Sequence, residues 1–275
     1  MVIHLDMCKG KGVDLTLYTV NVKTPAVEWR TDMNLAYSRT RVTRSYIAEP
    51  KGRYYRSGAY SLIETPIEGS DVRAVISYDW AGLDPQTGAP RGYLNGEISS
   101  DYRKIINDTQ IQDMKNSGSA MPLYFGSVRN TFKIQNFDFS FNISLQLGHK
   151  FVRKSINYDN MVYGGPGHSD YSKRWQQPGD EQHTDVPAFN FPANYYADQF
   201  YTFSSALVAP ADQIKWRDFQ IGYTMKTKLL KELRMYAYGS NIMTIWRANK
   251  LGIDPEFGNN PPDPFAGSLG VSFKF

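Results

Sequence analysis

A single cysteine, Cys8, cannot close an internal disulfide, so no covalent framework holds this chain of 275 residues together. Long apolar runs are missing too. No stretch approaches the ~18 residues that a membrane-crossing helix needs, and the mean hydropathy is −0.48. Charge of one sign is also absent: 31 basic and 27 acidic residues leave a dispersed net charge of +4, too mild for a nucleic-acid surface. Gly (22) and Pro (15) stand near ordinary usage, which excludes collagen and low-complexity linkers. A hydrophobic content of 41% excludes a disordered chain. Residues 1–11 hold no apolar core of signal-peptide length, so no export signal is expected there.

Catalytic signatures are lacking as well. There is no HExxH, no G-x-S-x-G and no phosphate-cradling glycine loop. Gly164-Gly165-Pro166-Gly167 reads as a loop breaker, because Pro removes a donor that phosphate would want. His168-Ser169-Asp170 and His183-Thr184-Asp185 lack zinc-ligand spacing. No enzyme, metal or cofactor is expected.

What the sequence does hold is aromatic residues, 14% of the chain, and alternation of period two. Phe137, Phe139, Phe141, Ile143, Leu145 and Leu147 interleave with Asp138, Ser140, Asn142, Ser144 and Gln146. Similar patterns run through 27–38, 233–238 and 269–275, which marks strands with two chemically different faces. Gln135-Asn136 separates 128–134 from 137–148 as a tight hairpin. Short turns at 23–26 and 226–232 join 13–22 to the strand from Val27, and 214–225 to 233–246. A phase slip between Trp216 and Phe219 predicts a bulge. One helix is predicted over 101–115, with Ser100 as N-cap and Gly118 as its stop.

Long polar connections, 40–121, 149–211 and 247–265, alternate with the short turns. Compact soluble domains seldom use such loops, whereas transmembrane β-barrels pair tight periplasmic turns with long extracellular loops. The expected fold is therefore all-β: a partial antiparallel transmembrane β-barrel of about seven to nine strands, the count depending on whether 54–64 and 72–80 form a further hairpin. Open edges cannot face lipid, so the chain is expected to be part of a larger barrel. A surface or secreted carbohydrate-binding β-sandwich is the alternative.

Several stretches carry a family resemblance. They are Tyr78-Asp79-Trp80-Ala81-Gly82-Leu83-Asp84-Pro85, Phe125-Gly126-Ser127-Val128-Arg129-Asn130-Thr131-Phe132, Ile214-Lys215-Trp216-Arg217-Asp218-Phe219, Leu233-Arg234-Met235-Tyr236-Ala237-Tyr238-Gly239 and Gly252-Ile253-Asp254-Pro255-Glu256. In this order the chain resembles the C-terminal portion of SusC/RagA-type TonB-dependent transporters. The resemblance implies a 22-stranded outer-membrane barrel, of which residues 1–275 are the C-terminal part, without plug domain or N-terminal strands. It further implies import of oligosaccharides or peptides, a SusD-like surface lipoprotein as partner, and the TonB complex reached through the missing N-terminal region. In isolation the segment should not transport. The terminal residues Leu269, Val271, Phe273 and Phe275 resemble the signature read by the outer-membrane barrel assembly machinery through edge pairing. Tyr171, Trp175, Tyr195 and Tyr196, in the loop 149–211, are the candidate ligand-binding residues, since rings can stack on the apolar faces of sugars.

Overall fold

A computed structural model describes residues 7–46, 51–56, 66–226, 230–258 and 260–275. Seven long strands form one antiparallel sheet in chain order. They are β1 (Met7–Lys23), β2 (Val27–Arg44), β3 (Tyr124–Ile134), β4 (Phe137–Leu147), β5 (Gln213–Met225), β6 (Glu232–Arg247) and β7 (Ala266–Lys274). Register follows from the alternation. Phe139 sits opposite Phe132 on β3 and Ile221 on β5, and Ile221 in turn opposite Ala237 on β6, which faces Leu269 on β7. One residue out of phase, Ser140 faces Thr131 and Gln220, so apolar and polar rows lie on opposite faces.

The expected hairpin at Gln135-Asn136 is present, with Gln135 at φ 52°. The expected bulge is present too. Trp216 pairs with Ile143 and Asp218 with Asn142, leaving Arg217 as the extra residue. All short turns lie at one end of the sheet and all long connections leave from the other, as the antiparallel order requires. The sheet ends in β1 and β7, each paired on one side among the described residues.

The chain divides into two compact units. Lys11–Arg39, Pro122–His149 and Ala211–Phe275 make the sheet unit; Met1–Gly10, Thr40–Met121 and Lys150–Pro210 make the loop unit. Among the described residues the large sheet has seven strands. Ala74–Ser77 pairs with Lys115–Ser119 in a separate two-stranded sheet instead of joining the large one. Most of the partner segment 54–64 lies outside the described residues.

The connections read as polar loops turn out to carry a core. Phe200, with no exposed surface, stacks near Tyr78, Trp80 and Tyr102, with ring centroids 6.0, 6.1 and 5.8 Å away. Ile105, Ile106, Met114 and Phe203 complete this cluster. A second cluster gathers Ile156, Tyr158, Val186, Tyr201 and Leu207. The predicted helix is shorter than its pattern. α1 spans Tyr102–Asp108, and Asp101, not Ser100, is its N-cap, its carboxylate accepting the Lys104 N–H at 3.2 Å. Asn107, Asp108 and Thr109 are weak helix formers, and the chain leaves the helix there. The rest of the expected helix is a 3-10 turn, Ile111–Asp113, and the strand Lys115–Ser119, within which Gly118 sits at φ 101°. Two further helices, α2 (Tyr158–Val162) and α3 (Tyr195–Thr202), start on asparagine caps, Asn157 and Asn194.

Candidate functional site

Two surfaces of the sheet and one cleft of the loop unit carry chemistry. The apolar row leaves large side chains on the outside: Phe137, Ile221, Met235, Leu269, Val271 and Phe273 are all exposed. Trp29 stacks on Phe132 at 5.5 Å, and Phe132 lies 6.3 Å from Phe139, so rings continue across three strands. Exposed apolar surface on this scale asks for a covering.

The opposite face is built from paired charges. Arg129 reaches both carboxylate oxygens of Asp218, at 2.9 and 3.0 Å. Arg234 meets Asp138 at 2.7 Å. Beside that pair Gly222 leaves room for the Asp138 carboxylate, which a Cβ there would displace from Arg234. At the bulge, Lys215 is buried and donates to Asp254 at 2.6 Å and Glu256 at 2.7 Å. Arg217, the extra residue, grips both oxygens of the same Glu256 and donates to the Ser144 hydroxyl at 2.6 Å. Residues 249–258, in the β6–β7 connection, are thereby strapped to β5. The strap also holds itself, through Asn249 to the Ile253 carbonyl and the Gly258 N–H to the Asp254 carbonyl. Partial burial would raise the Glu256 carboxyl, but the hydrogen bonds and charges of Arg217 and Lys215 more than offset it and hold it at about 2. Sequence reading had these residues only as parts of resembling motifs. The signal it lacked was the bulge's consequence, which brings Lys215, Arg217 and Asp218 together.

The terminal-strand residues Leu269, Val271, Phe273 and Phe275 form one exposed row, from 87% for Leu269 to 59% for Phe273, along the free edge strand β7 and its end. The four loop aromatics fall into two sorts. Trp175 is buried, its ring so close to Gly88 that a Cβ there would lie 2.3 Å away, and its Nε1 donates to Glu181. Tyr171 lies edge-on to Tyr158 and Phe189, with Arg174 over its ring. Tyr195 and Tyr196 open α3, 5.5 Å apart and exposed, as Tyr171 is; of the four only Trp175 is buried. Tyr195 lines a cleft of about 400 Å³ with Asn157, Asp159, Asn160, Tyr163 and Gln199. Sequence pattern missed these polar residues, because nothing in 149–211 announces that α2 and α3 face each other.

Of the His-X-Asp triplets, His168 accepts the Asp170 N–H through Nδ1 in a local turn. Asp170 is held by Ser155 at 2.6 Å and by Arg153. Burial works to raise its carboxyl, yet these partners keep it below the usual range. Among the described residues no cluster of His, Cys, Asp and Glu is large enough for a metal ion.

No protein-family model and no curated protein matches this sequence. Solved structures do. The RagAB peptide importer in its open-open state superposes with a TM-score of 0.70 at 17% identity, over 98% of this chain and 29% of that one. Its closed-closed state gives 0.68 at 18% identity, over 98% and 30%. The chain has a partial RagA-like fold. At these identities the likeness is one of fold, and the chain spans under a third of the RagAB chains it matches. The seven-stranded antiparallel sheet corresponds to the RagA barrel region.

Proposed function

We propose that this chain is the C-terminal barrel segment of an outer-membrane TonB-dependent importer of oligosaccharides or peptides, and that by itself it transports nothing. The two-faced sheet carries the reading. Its outward row is apolar and exposed, while its inner face pairs Arg129 with Asp218 and Arg234 with Asp138. Such a sheet suits lipid on one side and a wet lumen on the other. The RagA-like fold supports the same placement.

On this reading the free strand β7 is where assembly and closure act. Leu269, Val271, Phe273 and Phe275 serve as the assembly signal, recognised by edge pairing. Tyr171, Trp175, Tyr195 and Tyr196 in the loop unit contact or position the ligand. A SusD-like lipoprotein covers the outer side, and TonB acts through N-terminal parts of the longer protein. The role is transport, with no catalytic step.

Detergent dependence tests the assignment. The complete protein should be monodisperse in detergent and aggregate when detergent is removed. Monodispersity in plain buffer would overturn the reading and favour a soluble carbohydrate-binding sandwich.

A further inference from the structure

A second cleft of the loop unit, of about 280 Å³, is lined by Asp79, Tyr93, Asn95, Gly96, Thr109 and Asp113. One of its lining residues carries a buried hydroxyl without a partner. Thr109 caps the C-terminal end of α1 and is 9% exposed. Its backbone is fully used, the N–H donating to the Ile105 carbonyl and the carbonyl accepting the Gly52 N–H at 2.8 Å. Its Oγ1 is buried and makes no hydrogen bond. A buried polar atom left unmatched is costly, so this hydroxyl points to a partner from outside the chain.

Three further segments bring the remaining groups. Asp79 lies just beyond the strand Ala74–Ser77, and its Oδ1 accepts the Trp80 N–H at 3.1 Å and the Lys115 ammonium at 3.2 Å. Its Oδ2 has no partner among the described residues. Asp113 closes the 3-10 turn Ile111–Asp113, exposed, with its carboxylate likewise unpaired among the described residues. Tyr93 and Asn95 come from the hairpin that pairs Pro90–Leu94 with Glu97–Ser99, its turn set by Asn95 at φ 53° and Gly96 at φ 83°. Bases on the same segments are engaged. Lys115 holds Asp79, Arg91 turns to the Ala81 carbonyl, Arg103 stands over the Tyr196 ring, and Lys104 pairs with Asp101. Two carboxylates therefore stand against one lysine, and the cleft is negative.

This lining selects among ligand chemistries. An anion would meet two carboxylates. A metal ion is poorly served, because among the described residues no third acid or histidine joins them. A primary ammonium has three N–H donors and no acceptor. The Asp79 Oδ2, the Asp113 carboxylate and the Thr109 Oγ1 can accept from it, and the exposed Tyr93 ring offers a face that attracts cations. We propose that this cleft binds a primary ammonium group, carried by the amino terminus or a lysine of a peptide or by an amino sugar. The site stands on the loop unit's own geometry and goes beyond the importer reading.

Saturation-transfer NMR titration of the full chain in detergent micelles tests the site with small probes. Glycylglycinamide and glucosamine carry the ammonium; their N-acetylated forms do not. At least one charged probe should bind about tenfold tighter than its acetylated form, since bonds from an ammonium to a carboxylate are charge-assisted. Binding of glycylglycinamide alone supports the site and names a peptide source, glucosamine alone an amino sugar, and both together the ammonium as the shared determinant. Asp113→Asn should weaken the bound probe about tenfold. Thr109→Val removes a hydroxyl that holds nothing within the chain, so it should weaken the probe without lowering the melting temperature. Binding by neither charged probe, equal binding of the acetylated forms, or unchanged affinity in Asp113→Asn would each overturn the proposal. Should Asp113→Asn misfold, Thr109→Val decides, and an undiminished affinity there rejects the site. Failure of the importer reading would show separately, in the detergent experiment.

Discussion

The sheet unit and the loop unit bury apolar side chains by different rules. In the sheet unit Leu269, Phe137 and Met235 stay exposed while Lys215 and Asp218 are buried. In the loop unit Phe200, Tyr201 and Ile105 are buried in two clusters, and exposed rings such as Tyr163, Phe191 and Tyr195 lie outside them. One chain thus holds an inside-out region and an ordinary one. The lesson is that alternation alone does not say which face is the inside; the solvent on each side decides it.

The largest expected effect comes from Phe200→Ala. Removing a ring with no exposed surface should cost about 3–5 kcal/mol. The loss should appear as lost exchange protection confined to the loop unit. Equal loss along β3 and β4 would erase the distinction between the units. Next comes the paired substitution Phe141→Arg and Ser140→Arg. On the apolar row arginine should cost about 2–4 kcal/mol in bilayer refolding, and one residue away, on the polar row, little. Equal costs would mean that both faces are buried in protein.

Lys215→Met breaks the strap. Asp254 would then lose its cation while Arg217 alone still holds Glu256, and about 2–3 kcal/mol should be lost, below the usual range for buried pairs because that second cation remains and Glu256 keeps some solvent. Faster exchange across 249–258 would report it. A pH scan sharpens the contrast further. A depressed carboxyl contributes stability that is complete above its unfolded value, near 4.5, and is lost progressively as pH falls from there through about 2. Strap protection should therefore stay flat from pH 5 to 8 and fall only in more acidic solution. The smallest effect belongs to Tyr195→Ala, within about 0.5 kcal/mol in stability, because its ring is exposed; only ligand affinity should fall.

Much of the sheet was legible in residue order. Phe137 to Leu147 alternates because the two faces of the sheet differ, one apolar and the other polar, and Gln135-Asn136 leaves room for one turn only. The Trp216–Phe219 slip announced its bulge. The loop unit was opaque by contrast. Phe200 packs with Tyr78, over a hundred residues away, and no local period encodes such a meeting. α1 misled for the same reason: Ile111 and Met114 continue an apolar pattern, but they answer to the tertiary core and not to a helix face. The cleft residues Asn157, Asp159 and Gln199 are common loop residues whose meaning comes from two short helices placed side by side.

The backbone bridge between Tyr78 and Ser204 joins the first long insertion to the second. The intervening chain includes the β3–β4 hairpin, so closing that span before the hairpin forms carries a larger entropic cost. Order of events is thereby written into connectivity. During synthesis the early insertion must wait for the later one to emerge, and its rings remain sticky in the interval. A slower turn at Gln135-Asn136 would lengthen that interval without altering the finished molecule's stability by much.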